Sequence, residues 1–214
     1  GNASIDAGNT SGSGTDAFIV FGSGAVNAQG INFSSVNSVT LDTTDTVTDT
    51  GTYAYELESD SAMNVAGISF NSGAYGNFNW GAGDTLALSD SHTIATNTLI
   101  DAKSAQLLGS AGVDTFTVTG SNTLDFTLGN QNLVKFSSVN SVTLDASDTV
   151  TDNNTGTYAY ELESDSAMTV LGISFSSGAY GNFNWGAGDT LALSDNHTIA
   201  TNTLIDAKNA QLLG

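Results

Sequence analysis

Residues 51–80, GTYAYELESDSAMNVAGISFNSGAYGNFNW, return almost unchanged as residues 156–185, GTYAYELESDSAMTVLGISFSSGAYGNFNW. The match extends from Gly51–Gly109 to Gly156–Gly214 at an offset of 105, and only five positions differ: Asn64/Thr169, Ala66/Leu171, Asn71/Ser176, Ser91/Asn196 and Ser104/Asn209. Upstream, Phe33–Asp49 corresponds to Phe136–Asp152 at an offset of 103. The two-residue slip falls where Thr50 gives way to Asn153-Asn154-Thr155, a turn composition that absorbs insertions. Self-similarity at a fixed period is the signature of a repeat architecture.

Weaker echoes continue outward. Ile5-Asp6-Ala7 matches Ile100-Asp101-Ala102, and Leu204-Ile205-Asp206-Ala207 begins the pattern again. The chain therefore reads as one continuous array: copy 1 over 1–96, copy 2 over 97–201, and the start of a third copy over 202–214. It opens on Gly1-Asn2-Ala3 without a basic or apolar leader, as a mature or internal slice of a longer tandem protein would.

Within each copy, strand signals recur at short intervals. Phe116 and Val118 alternate with Thr115, Thr117 and Thr119, and Phe78 and Trp80 with Asn77 and Asn79. Period-two alternation with β-branched residues predicts strands buried on one face, with Gly, Asn and Asp between them. Residues 101–108 fit a strand or a short helix equally. The fold class is all-β. A parallel β-solenoid of two near-identical repeats, its coils stacking at about 4.8 Å, is the expectation. The alternative is a string of immunoglobulin-like sandwiches, one per repeat. The many short strands and the absence of proline favour the solenoid.

Composition bounds the function. Three Lys and Arg against 22 Asp and Glu give a formal charge of −19. Nucleic acid and anionic lipid headgroups both require basic side chains for neutralisation, so neither is an expected partner. The longest apolar burst, Ala17-Phe18-Ile19-Val20-Phe21, is far too short to span a membrane. Cysteine is absent, which excludes a disulfide-stapled domain.

Gly109-Ser110-Ala111-Gly112-Val113-Asp114-Thr115-Phe116-Thr117 resembles the Gly/Asp-rich nonapeptide of RTX proteins, with Ser110 at the second glycine. Ser11-Gly12-Ser13-Gly14-Thr15-Asp16-Ala17-Phe18 resembles it as well, with Ser11 at the first. Gly81-Ala82-Gly83-Asp84 and Gly186-Ala187-Gly188-Asp189 are related but lack the spacer before the aspartate. The resemblance implies the company of large secreted bacterial surface proteins and adhesins. It also implies calcium as the cofactor, with Asp16, Asp114, Asp84 and Asp189 as candidate ligands. A capped turn leading into a strand explains the same residues without metal.

Other acidic residues have simpler readings. Asp42, Asp45 and Asp49, with Asp145, Asp148 and Asp152, bracket a Thr-rich strand in a spacing unlike an EF-hand, and read as a solvated edge that discourages aggregation. Glu56, Glu58 and Asp60 share one strand face and read alike. His92 and His197 are one repeat position, and no nucleophile or carboxylate pair is singled out beside them, so the chain is not expected to be an enzyme. Tyr75, Phe78 and Trp80, with Tyr180, Phe183 and Trp185, fit either a core or a glycan-binding face beside Asn77 and Asn79. Burial of the two tryptophans discriminates between these.

The function expected is a structural repeat of a secreted, extracellular or cell-surface protein (adhesin, matrix fibre or surface layer), self-associating with further repeat copies or subunits. A module recognising glycan or another cell surface is the alternative.

Overall fold

The alternating segments fold as strands almost throughout the computed structural model, which describes residues 3–6, 14–109, 112–129, 131–153 and 156–213. Ser11, Gly12, Ser13, Ser110 and Ala111 of the nonapeptides, and Asn154 and Thr155 of the insertion, lie outside the described residues. The chain divides into two units, Gly1–Ala95 and Thr96–Gly214.

The first unit contains β1 (Ala3–Asp6), β2 (Ala17–Gly22), β3 (Ala25–Ala28), β4 (Ile31–Ser34), β5 (Val36–Thr40), β6 (Thr46–Asp49), β7 (Ala54–Ser59), β8 (Ala62–Val65), β9 (Ile68–Asn71) and β10 (Thr85–Leu88). The chain shuttles between two sheets, one in the order β1-β5-β9-β8-β7-β10 and one in the order β4-β3-β2-β6. Successive coils pair in parallel through β1 with β5, β5 with β9, β2 with β6 and β7 with β10. Between these ladders, β2-β3-β4 and β7-β8-β9 are antiparallel meanders.

The second unit repeats the scheme with β11 (Leu99–Asp101), β12 (Gln106–Leu108), β13 (Asp114–Gly120), β14 (Thr123–Leu128), β15 (Val134–Ser137), β16 (Ser141–Thr143), β17 (Thr149–Asp152), β18 (Ala159–Ser164), β19 (Ala167–Val170), β20 (Ile173–Ser176), β21 (Phe183–Asn184), β22 (Thr190–Thr198) and β23 (Gln211–Leu213). Its sheets run β11-β15-β14-β13-β17-β21 and β12-β16-β20-β19-β18-β22-β23. Coil-to-coil ladders are again parallel. The β13-β14-β15 and β18-β19-β20 meanders are antiparallel.

Each unit is therefore a β-solenoid, and its parallel stacking is the arrangement the repeat predicts. The meanders are an addition. Three of the four have hairpin turns at Gln29-Gly30, Ala66-Gly67 and Leu171-Gly172, where both residues have positive φ. Such turns match the twist of a two-residue hairpin.

One open alternative is resolved and two local expectations change. Residues 101–108 form β11, a turn and β12, with no helix. The segment expected as a strand over 77–80 begins as a 3-10 turn, Tyr75–Asn77, and Asn77 faces inward. Ile5 is matched by sequence to Ile100, but it pairs with Val39 on β5, as Leu107 pairs with Val142 on β16. Thus β1 occupies the place of β12 rather than that of β11. Short apolar triplets are interchangeable in a parallel ladder, and the partner strand sets the register.

The core lies between the two sheets of each unit. In the first, Tyr55 meets Trp80 at 5.7 Å and 64°, and Phe78 stacks on Trp80 at 6.2 Å and 19°. In the second, Tyr160 meets Trp185 at 5.9 Å and 60°, and Phe183 stacks on Trp185 at 6.2 Å and 19°. The two copies thus build one aromatic cluster twice. Each such ring contributes roughly 1.5–3 kcal/mol by burial.

Candidate functional site

Five aspartates precede a Thr and an apolar residue, and beside Asp114-Thr115-Phe116 four of them share one role: Asp45-Thr46-Val47, Asp84-Thr85-Leu86, Asp148-Thr149-Val150 and Asp189-Thr190-Leu191. All four side chains are buried, and all do the same thing. Oδ2 accepts the backbone N–H three residues earlier, closing the turn: Asp42 at 2.8 Å, Gly81 at 2.8 Å, Asp145 at 2.7 Å and Gly186 at 2.7 Å. Oδ1 accepts an N–H of the preceding coil: Asp16 at 3.0 Å, Tyr53 at 2.9 Å, Asp114 at 3.3 Å and Tyr158 at 3.0 Å. One carboxylate thereby joins its own turn to the coil before it, through charge-assisted bonds in a dry setting.

A buried asparagine makes a second joint. Asn77 Oδ1 accepts the N–H of Ala74, while its Nδ2 donates to the carbonyls of Asp42 at 3.0 Å and Asp45 at 2.6 Å. Asn182 repeats this with Ala179, Asp145 and Asp148. An amide supplies one acceptor and two donors at one point, as this junction requires. The two joints were not legible as such in the sequence, although the recurring D-T-apolar pattern is a signal of the first.

The candidate calcium ligands fall into this scheme. Asp84 and Asp189 are two of the joining carboxylates. Asp114 gives its N–H to Asp148 and is fully buried, and Asp16 gives its N–H to Asp45 while its Oδ1 accepts from Gln29 at 2.6 Å. The structure brings Asp114 and Asp148 together at Gly109, where a Cβ would lie 2.3 Å from Asp148 Oδ2 and 3.2 Å from Asp114 Oδ2. Burial, with the Asp114 carboxylate beside it, pushes the Asp148 carboxyl up to about 6. Asp42 and Asp145 go the other way, held below the ordinary value by hydrogen bonds from Thr44 and Ser147. Among the described residues, no three acidic or His side chains form a metal-competent group. As donors for calcium Asp84 and Asp189 fit poorly, because both oxygens of each carboxylate already face N–H groups.

The remaining candidates are placed as follows. Of the acidic series expected as a solvated edge, Asp45 and Asp148 are buried because their turns fold the carboxylates inward, and Asp152, at the end of β17, is buried where it accepts the Tyr160 hydroxyl at 3.1 Å. Glu56 is exposed, and Asp60 accepts the N–H of Ala95 at 3.1 Å. Phe78, Trp80, Phe183 and Trp185 are buried, whereas Tyr75 and Tyr180 are half-buried, with hydroxyls donating to the carbonyls of Ser59 and Ser164. His92 is buried with both ring nitrogens unpartnered, and burial lowers its pKa. His197 is exposed, with Nδ1 2.8 Å from the Ser194 carbonyl.

Open surfaces among the described residues include the following. In the first unit β4 is an edge strand, with Ile31 at 61% and Phe33 at 36% exposure. In the second, Leu193, Leu204, Ile205, Leu212 and Leu213 line an open depression of about 390 Å³, and β23 is an edge. No protein family, curated protein or solved structure matches the chain.

Proposed function

We propose that the chain is a structural repeat of a bacterial extracellular or cell-surface protein, of the adhesin, matrix-fibre or surface-layer kind, acting by extension and self-association. One observation carries this reading: the aspartate joint between coils, made four times with the same atoms, twice in each copy. The four carboxylates are thereby engaged in stacking coil on coil. In such arrays stability is a sum over coils and their interfaces, so further copies lengthen the object without new design.

The strongly acidic surface and the lack of cysteine accord with an exported protein, and no described helix is long and apolar enough to cross a membrane. The alternative of glycan or cell-surface recognition loses its aromatic platform, since Trp80 and Trp185 are buried at 3% and 2% exposure.

Concatenated proteins of one, two and three 105-residue repeats test the reading by electron microscopy and thermal melting. A rod that lengthens, and melts at higher temperature, with each copy supports it. Copies that melt independently as beads overturn it.

A further inference from the structure

We propose that two copies of this chain join head to tail by one strand pairing that the chain already contains, Leu204-Ile205-Asp206 of one molecule adding in parallel to β4 of the second. The inference rests on the structural-repeat reading above and names the partner and the surface.

The template is β11 on β15. There Leu99 stands opposite Lys135, Ile100 opposite Phe136 and Asp101 opposite Ser137. Its flanking hydrogen bonds run from Lys135 N–H to Thr98 at 2.9 Å and from Ala102 N–H to Ser137 at 2.8 Å. Both halves of this joint recur in open form. Leu204-Ile205-Asp206 has the sequence of β11. β4 holds the place of β15, since Phe33 pairs with Val26 on β3 as Phe136 pairs with Leu124 on β14.

Exposure marks the missing partner on both sides. Phe136 is 2% exposed under β11, while Phe33 is 36% exposed, and Ile100 is buried while its counterpart Ile205 is half-buried. An uncovered apolar edge with free ladder positions pairs with a matching strand. The joint places Ile205 opposite Phe33 and Asp206 opposite Ser34. Asn32 N–H then donates to the Thr203 carbonyl, and Ala207 N–H to that of Ser34. Such a contact is heterologous, so it propagates or closes a ring according to its rotation.

The template has a second ladder, β12 on β16, and β23 repeats β12 in sequence. The corresponding place on β5 is held by β1, with Ile5 opposite Val39. Three of the four β1 residues are exposed and its register is interrupted after Ala3, so β1 is the strand an incoming β23 displaces. β1 thereby limits the joint.

The absence of cysteine permits a clean test. Ser34→Cys and Asp206→Cys are made in separate chains, mixed and oxidised. Parallel neighbours at this register lie within disulfide reach. The mixed pair is expected to cross-link at least tenfold faster than either variant alone, or than Ser34→Cys with Asp195→Cys. Adding Ile205→Asp to the Asp206→Cys chain should abolish the gain. In sedimentation, the unmodified chain gains mass with concentration, Phe33→Asp suppresses this with unchanged circular dichroism, and deletion of residues 1–6 enhances it. A chain that stays monomeric even after that deletion overturns the proposal, as does cross-linking no faster than the Asp195 control. If concatenated repeats still lengthen as one rod, only this joint is lost; if they melt as beads, the structural-repeat reading has failed.

Discussion

Asp189 Oδ1 accepts the backbone N–H of Tyr158 at 3.0 Å, and these residues lie 31 positions apart on successive coils. Asp84 and Tyr53 stand in the same relation at 2.9 Å, also 31 positions apart. The N–H concerned belongs to the residue leading into β18 or β7, so the carboxylate fixes where each following strand starts. Asparagine in place of either aspartate turns an NH2 group toward an N–H. Asp84→Asn and Asp189→Asn are each expected to cost about 1–3 kcal/mol, the price of leaving a buried donor unpaired. Urea unfolding measures this, and a loss below about 0.5 kcal/mol at both sites would count against the joint.

Calcium and magnesium are expected to act alike. With a formal charge of −19, any divalent ion reduces self-repulsion. Melting temperatures in equal millimolar concentrations of the two ions should agree. A calcium-specific rise that vanishes in Asp16→Ala or Asp114→Ala would restore chelation at the nonapeptides.

Asp148 should couple the fold to pH. Its folded carboxyl, at about 6, binds its proton more tightly than an unfolded one at 3.8. Protonation therefore favours the fold. This contribution is complete below about pH 4 and is lost as pH rises through about 6. Carboxyl NMR should show Asp148 titrating near 6 and Asp42 and Asp145 below 3.8. Melting of the unmodified chain should fall more steeply from pH 4 to 7 than melting of Asp148→Asn.

Leu171 holds φ at 48° and Ala66 at 52° in their hairpin turns. A side chain in this region is strained, and asparagine tolerates it better. Leu171→Asn and Ala66→Asn should each stabilise by about 0.5–1 kcal/mol, read as a raised urea midpoint at constant slope. A lowered midpoint in both would show that the turn geometry is otherwise.

Trp80 and Trp185 should be spectroscopically interchangeable. Trp80→Phe and Trp185→Phe each leave one indole in a Tyr–Phe cluster of matching geometry. The two emission maxima should coincide, and iodide should quench neither. A red-shifted, quenchable emission from one variant would disprove the equivalence.

The sequence announced the repeat, the strands and the parallel stacking of coils. It concealed the β2-β3-β4 and β7-β8-β9 meanders, because period-two alternation is the same in parallel and antiparallel ladders, and Ala66 gives no sign of a positive φ. Asn77 looked like the outward member of an alternating pair, yet a 3-10 turn carries it inward to satisfy two carbonyls. Asp45 and Asp148 looked like solvated edge charges, because their N–H partners lie 29 and 34 residues away. His92 and His197 share a sequence position and differ in burial, and the first lies in a turn after β10 whereas the second lies within β22.

The spacing of these joints has a kinetic consequence. Asp45 and Asp84 reach back 29 and 31 residues in the first copy, and Asp148 and Asp189 reach back 34 and 31 in the second. Loop closure thus costs nearly the same entropy at every coil, since it depends only weakly on loop length. Folding time per coil should stay constant as copies are added, and a chain emerging end-first can complete each coil once about 30 further residues have appeared.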